Sequence, residues 1–295
     1  MKLLNSLEDE SISFIRDTYK DAENPVVLYS IGKDSSVMLH LFKKAFYPLN
    51  VPIPFMHIDT TWKFSEMINF RDKVLTKNKI KKIVYTNRDG VKAGVNPFNN
   101  DKYTDIMKTQ ALKDALDKYN FDFIYGGARR DEEASRSKEK VLSIRDKYHK
   151  WNPIDQTIEP WYIFNTFLPK ESSFRVFPIS NWTELNIWQY ILKEEIDVVP
   201  LYFAKKRKVV VSNEQYFLYD DKRYKLKKED KIINTNIRFR TLGCYPLTAG
   251  VLSNVKTVTG IIRELNESQY SERSGRLIDH DQIGSMEKKK KDGYF

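Results

Sequence analysis

The amino-acid sequence predicts an α/β protein, a doubly wound and mostly parallel sheet with helices on both faces and a C-terminal extension packed against it. Two observations predict this. Short β-branched runs alternate with helical stripes through the first half of the chain, the pattern of parallel strands joined by crossover helices. The first of those runs then passes through a glycine turn directly into an amphipathic helix. At 295 residues the chain is long enough for one large domain or two ordinary ones. It shows no internal repeat and no flexible linker, so residues 1–203 are read as the α/β domain and residues 204–295 as the extension.

The elements follow in order. Ser6, with Asp9 three residues on, is placed to cap a first helix. Pro25 to Ser30 reads as a buried strand, Ile31 to Asp34 as a tight turn, and Met38, Leu41, Phe42 and Ala45 as the stripe of a second helix. Ile53 to Ile58 is a second strand, Phe64 to about Thr76 a helix, and Lys82 to Thr86 a third strand. Leu112, Ala115, Leu116 and Tyr119 stripe another helix before the strand Phe121 to Tyr125, which ends in Gly126-Gly127. From Ala128 to Ser173 the pattern gives way to a charged, irregular stretch holding Trp151, Pro153, Pro160 and Trp161, and long segments of that kind are usually functional loops. Arg175 to Ile179 resumes as a strand. Asn181 with Glu184 then marks a helix start carrying Leu185, Trp188, Ile191 and Leu192 on one face. Residues 205–236 read as hairpin-like, Val255 to Leu265 as a last helix, and the remainder as irregular tail.

Composition narrows the function classes. Hydrophobic residues make up 41% and charged residues 31%, as in ordinary globular proteins. No apolar run approaches the ~18–20 residues that cross a bilayer, and Met1 to Glu8 turns polar before a secretory core could form. A cytoplasmic protein is expected, with no membrane partner. The single Cys244 excludes a disulfide framework, a cysteine-rich zinc site and a four-thiolate iron–sulfur site within one chain. The four histidines form no HExxH pair. The net charge of +10 suits nucleic acid or small polyanions. Because aromatics do not interleave with the runs Lys205-Lys206-Arg207-Lys208 and Lys288-Lys289-Lys290-Lys291, small anions are favoured and no nucleic acid is expected.

The segment Ser30-Ile31-Gly32-Lys33-Asp34-Ser35-Ser36-Val37 carries the chemistry. The open N–H groups of a helix's first turn, two serine hydroxyls and the helix dipole all favour an anion. Gly32 permits close backbone approach, and Lys33 adds a full positive charge. Asp34 fits such a place only as a cap or as the holder of a metal-bound water. An ordinary serine-capped turn is the plain alternative. There is no GxxxxGK[ST] and no GxGxxG in the chain.

This segment resembles the PP-loop (SGGxDS) of the N-type ATP pyrophosphatases, with Ile31 where that superfamily has its first glycine. Wider blocks are similar to the small-subunit family of the two-subunit bacterial sulfate adenylyltransferases. They are Leu28 to His40, His57-Ile58-Asp59-Thr60, Gly126 to Glu133, Phe177 to Glu184, Arg238 to Leu247 and Asp279 to Glu287. The resemblance implies an adenine-nucleotide α-hydrolase-like (HUP) fold and transfer of an adenylyl group from ATP to sulfate, releasing pyrophosphate. That is the first step of sulfate assimilation, toward cysteine. It further implies ATP contacts from Ser30, Gly32, Lys33, Asp34, Ser35, Ser36, Asp59 and Thr60. Lys33, Arg129 and Arg130 would be catalytic, with both arginines on sulfate. It implies Mg²⁺ arriving with ATP through ligands the sequence does not name, no iron–sulfur cluster, and a GTPase large subunit as heterodimeric partner. Phosphosulfate reductases share the fold, but their second cysteine position holds Leu247 here and the tail to Phe295 has no thiol. The Arg238/Arg240 and Arg273/Arg276 pairs are open between sulfate, partner and solvent.

Overall fold

The computed structural model describes residues 2–132, 134–156 and 165–267. The chain begins with α1 (Lys2–Asp21). Ser6 lies inside this helix and does not cap it. The buried stripe Leu4, Leu7, Phe14 and Ile15 reaches back to the start, so apolar periodicity sets the boundary. Next come β1 (Val26–Leu28), α2 (Lys33–Phe46), β2 (Phe55–Ile58), α3 (Ser65–Lys77), β3 (Lys82–Tyr85) and the short α4 (Arg88–Lys92). A π-turn over Asp105–Gln110 runs into α5 (Ala111–Tyr119), followed by β4 (Phe123–Tyr125).

After β4 come α6 (Ala134–Ser137), β5 (Leu142–Arg145), β6 (Ser173–Val176) and α7 (Glu184–Lys193). The stretch expected to be irregular therefore contains a helical turn and a strand. Their concealment has a physical cause: β5 buries Ser143 and Arg145, with Arg145 paired to the equally buried Glu139. Leu142 is buried as well, but an alternation of only four residues, Leu142 to Arg145, set in a charged stretch gives too short a signal to read. Pro160 and Trp161 lie outside the described residues, whereas Trp151 is buried.

The sheet order is β3-β2-β1-β4-β6-β5. Every pairing in it is parallel except that of β5, which runs antiparallel to β6. Val27, Phe55 and Phe123 face one way, into a core with α1, α2, α3 and α7; Val26, Met56 and Ile124 face the other way, against Leu112, Ala115 and Leu116 of α5. The sheet is thus covered on both sides, as its alternation requires. Because β1 has β2 on one side and β4 on the other, the carboxyl ends of β1 and β4 border the crevice where such sheets bind ligands.

The outer rim of β5 is not left bare. Gln156 accepts from the Ile144 N–H at 2.9 Å and donates to the Ile144 carbonyl at 3.2 Å.

α7 is capped by Thr183 in reciprocal bonds with Asn186, two residues beyond the expected Asn181–Glu184 start. A 3₁₀ turn at Pro200–Tyr202 leads to β7 (Lys205–Ser212), β8 (Gln215–Leu218), β9 (Lys231–Arg238) and β10 (Val251–Leu252), ordered β10-β9-β7-β8 and all antiparallel. Asn213 and Glu214, both at positive φ, make the two-residue β7–β8 turn, whose twist suits a hairpin. α8 (Val258–Glu267) follows. Val209, Leu218, Ile237, Phe239 and Ile261 of this region share one core with α1, α2 and α7. No helix among the described residues is long and apolar enough to cross a membrane.

Candidate nucleotide site

The site is built where β1 turns into α2. Ile31 stands at φ 68° with its side chain completely buried. A β-branched residue in the left-handed region stores about 1–3 kcal/mol of strain and persists only where its surroundings impose it. Here the imposition comes from the core that encloses the side chain. This is the position at which the PP-loop pattern has glycine, and it is the residue whose backbone most needs glycine's freedom.

Gly32 is the N-cap of α2 and provides no side-chain cap. The Ser35 and Ser36 hydroxyls both donate to its carbonyl, at 2.9 and 3.1 Å, and the Ser30 hydroxyl donates to Ser35 Oγ at 3.4 Å. The Lys33 N–H donates to the Tyr202 hydroxyl at 2.8 Å.

Charge is organised as a ladder across the crevice. The Lys33 ammonium, its side chain 1% exposed, lies 3.2 Å from Asp34 Oδ2. Arg129, from the segment after β4, donates Nε–H to Asp34 Oδ1 at 2.7 Å and reaches Asp131 with Nη1 at 3.5 Å. Burial works to raise the Asp34 carboxyl, but the charges of Lys33 and Arg129 outweigh it and hold it down at about 2. The two loops meet at Gly127, whose Cα packs beside Asp34 closely enough that a Cβ would be in van der Waals contact with it at 3.4 Å. Lys33, Asp34 and Arg129 are therefore brought together, with Ser30, Gly32, Ser35 and Ser36 alongside.

Arg130 is oriented differently. Its Nη1 donates to Asn181 Oδ1 at 2.8 Å, and Asn181 in turn donates to Glu10 of α1 at 2.7 Å. That corner is a cavity lined by Glu10, Asp17, Ser180 and Asn181, so Arg130 points toward acidic surroundings.

At the end of β2, Asp59 accepts from the Thr61 N–H at 2.8 Å, a local turn around Thr61 at φ 62°. Thr60 is fully buried; its carbonyl accepts from the Tyr103 hydroxyl at 3.0 Å, and its hydroxyl lies 3.5 Å from Cys244 Sγ. Burial acts to raise the Cys244 thiol, yet the ammoniums of Lys63 and Lys108 outweigh it and leave it below the usual range. His57 donates from Nδ1 to the Tyr29 carbonyl at 2.9 Å. Burial, aided by Lys63, pushes its pKa down to about 3 and keeps the ring neutral.

Two participants escaped sequence reasoning. Tyr202 reaches the loop from 169 residues away, and no local signal marks it beyond its place in a turn begun by Pro200. Asp131 ties Arg129 to the Glu184 N–H, 3.0 Å away, and Glu184 is 3.3 Å from Arg240 Nη2. The first open arginine pair is therefore divided: Arg238 is buried against Glu264 of α8, while Arg240 stands at the edge of the site. Arg273, Arg276 and the block from Asp279 to Glu287 lie outside the described residues. No group of three His, Cys, Asp or Glu able to hold a metal occurs among the described residues.

A parallel sheet whose first strand ends in an anion-cradling turn, faced by a guanidinium from the fourth, defines a nucleotide-binding α/β protein of the PP-loop class. Residues 24–250 match the family model of the phosphoadenosine phosphosulfate reductase domain. Sulfate adenylyltransferase subunit 2 of Aeromonas hydrophila is 56% identical over 294 residues, covering 99% of this chain and 97% of that protein. Its namesake in Trichlorobacter lovleyi is 55% identical, covering 100% and 99%. Among solved structures, a Candida glabrata FMN adenylyltransferase in complex with ATP superposes with a TM-score of 0.51 at 14% identity, over 94% of this chain and 88% of that one. This last likeness is one of fold. The chain belongs to the sulfate adenylyltransferase subunit 2 family.

Proposed function

We infer that this chain is an ATP-using sulfate adenylyltransferase subunit, joining the adenylyl group of ATP to sulfate with release of pyrophosphate. The observation that carries the reading at the site is the Lys33–Asp34–Arg129 ladder spanning the switch-point crevice beside the first turn of α2. Sulfate is ionised at neutral pH and attacks the α-phosphorus through an oxygen that needs no deprotonation. The demands on the protein are alignment of two repelling anions and stabilisation of the departing pyrophosphate.

The β- and γ-phosphates are assigned to Ser30, Gly32, Lys33, Ser35 and Ser36, where helix N–H groups, hydroxyls and an ammonium converge. Asp34 orients Lys33 and Arg129 as their shared counter-ion. Asp59 and Thr60 border the nucleoside end at the carboxyl terminus of β2. Sulfate is assigned to Arg129 and Arg130, whose guanidinium forks match tetrahedral oxyanions; Arg130 must then swing from Asn181 toward the crevice. Mg²⁺ is proposed to arrive with ATP as part of the substrate. That fits the donor set, because the Asp34 carboxylate is already committed to two cations. Bound there, the ion supplies charge neutralisation for the phosphates.

The relatives are named as a second subunit, which supports assembly with another chain. A phosphosulfate anhydride is strongly uphill from ATP, and this sequence carries no Walker-type loop of its own, so the partner is proposed to be a GTPase. The run Lys205 to Lys208 in the extension, residues 204–295, is its proposed docking surface. Sulfate-dependent pyrophosphate release is the test, measured with and without a GTPase subunit and GTP. Release that ignores sulfate would sink the reading, and unchanged co-purification after Lys205, Lys206 and Lys208 are made glutamate would move the docking surface elsewhere.

A further inference from the structure

We propose that Tyr202 is a positioning residue of the phosphate cradle, acting as the missing cap of α2 supplied from the far end of the fold. The proposal rests on the nucleotide reading of the loop given above and extends it. A helix leaves its first N–H groups without intrahelical partners, and a side chain at the N-cap normally satisfies one of them. The N-cap of α2 is Gly32, which has no side chain to offer, and the Ser35 and Ser36 hydroxyls are turned onto the Gly32 carbonyl. The Lys33 N–H is met instead by the Tyr202 hydroxyl at 2.8 Å. The same oxygen would lie 3.4 Å from a Cβ on Gly32, so the phenol closes over the loop at the residue where backbone must approach phosphate.

Tyr202 is rigidly held for this task. Its ring is 1% exposed and meets Trp188 of α7 edge-on at 5.3 Å. The segment carrying it is fixed on both flanks by backbone bonds. The Phe239 N–H donates to the Leu201 carbonyl at 2.9 Å, and the Ala204 N–H donates to the Val255 carbonyl at 2.7 Å. The β7–β10 sheet thereby sets where the hydroxyl stands. With the Lys33 peptide anchored, the Lys33 side chain and the following Asp34 and Ser35 N–H groups keep a fixed aim at the phosphates, while the Ser36 N–H closes the first helical bond onto the Gly32 carbonyl at 3.0 Å.

Tyr202→Phe in the full-length chain tests this, because it removes the hydroxyl and keeps the ring against Trp188. Three readouts are compared with wild type: exchange of the Lys33 amide by NMR, affinity for a non-hydrolysable ATP analogue, and steady-state kinetics with the partner subunit. The expected result is Lys33 amide exchange faster by at least about tenfold while later α2 amides keep their protection. Analogue affinity and kcat should each fall by about tenfold, with KM for sulfate unchanged. General loosening of α2, or a raised KM for sulfate, would assign Tyr202 a merely structural role and overturn the proposal. So would wild-type affinity and kcat in the variant. Failure of the wild-type chain to bind the analogue at all would instead overturn the nucleotide reading.

Discussion

Asp34 is the residue on which the loop's electrostatics turn. It is only partly exposed, and its counter-ion Arg129 has a side chain with no exposure at all. Asp34→Asn preserves shape and removes the charge, leaving a buried guanidinium short of a partner. We expect a loss of about 2–3 kcal/mol, below the full value for a buried pair because Asp34 itself touches solvent, together with loss of adenylyl transfer; urea denaturation and pyrophosphate release measure the two. The carboxyl titrates at about 2 in the folded chain, below its ordinary range. Its stabilisation is therefore present above pH ~4 and lost as pH falls through 2.

His57 gives a second acid-sensitive contribution in a different window. Its folded pKa of about 3 lies below the unfolded value, so the unfolded chain binds the proton first as pH falls from ~6.5. Between pH 6 and 4 this withdraws about 1.4 kcal/mol per pH unit. His57→Gln, which can still donate to the Tyr29 carbonyl, is expected to flatten the stability–pH curve in that range. Parallel curves for variant and wild type would contradict the assignment.

At the level of elements, α7 shows what a sequence pattern can and cannot resolve. Of its expected face, Trp188 and Ile191 are buried but Leu192 is exposed, Ile187 and Tyr190 being buried instead, and two overlapping cap patterns compete at its start. Thr183 with Asn186 prevails because Asn181 is engaged by Arg130 and Glu10, contacts invisible to local spacing. Thr183→Ala should destabilise the chain by about 1 kcal/mol, the usual worth of a hydroxyl cap, read as a lower urea midpoint with unchanged slope. The strands β1, β2 and β4 were legible because each buries an apolar run in a parallel sheet, and the half-exposed edge strand β3 because Ile83, Val84 and Tyr85 are strand formers. β5 was not, because it is four residues long within a charged stretch and buries Ser143 and Arg145 along with Leu142.

For the whole molecule, the fold class and the strand–turn–helix loop could be read from one chain, since each depends on residues close in sequence, whereas Arg129, whose partner Asp34 is 95 residues away, was reached through the family resemblance. Tyr202, Asp131 and the split between Arg238 and Arg240 could not, since each depends on contacts across the fold. The same long-range contacts bear on how the extension folds. Val209, Leu218, Ile237, Phe239 and Ile261 pack into the core that α1, α2 and α7 also line. A fragment ending at residue 203 would expose the matching surface of that core, beyond what a marginally stable domain can lose. We expect such a fragment to be collapsed without fixed packing, with weak near-ultraviolet circular dichroism; a cooperative melt and sharp amide spectrum would contradict this.

The carboxamide of Gln156, bonded to both backbone groups of Ile144, imitates one peptide of a neighbouring strand. A foreign chain trying to zip onto that border would find this rung already occupied. Growth of the main sheet by strand addition is thereby discouraged on the β5 side. On that border, complexes are left to form through side-chain recognition, which can be selective, in place of main-chain templating, which accepts almost any sequence.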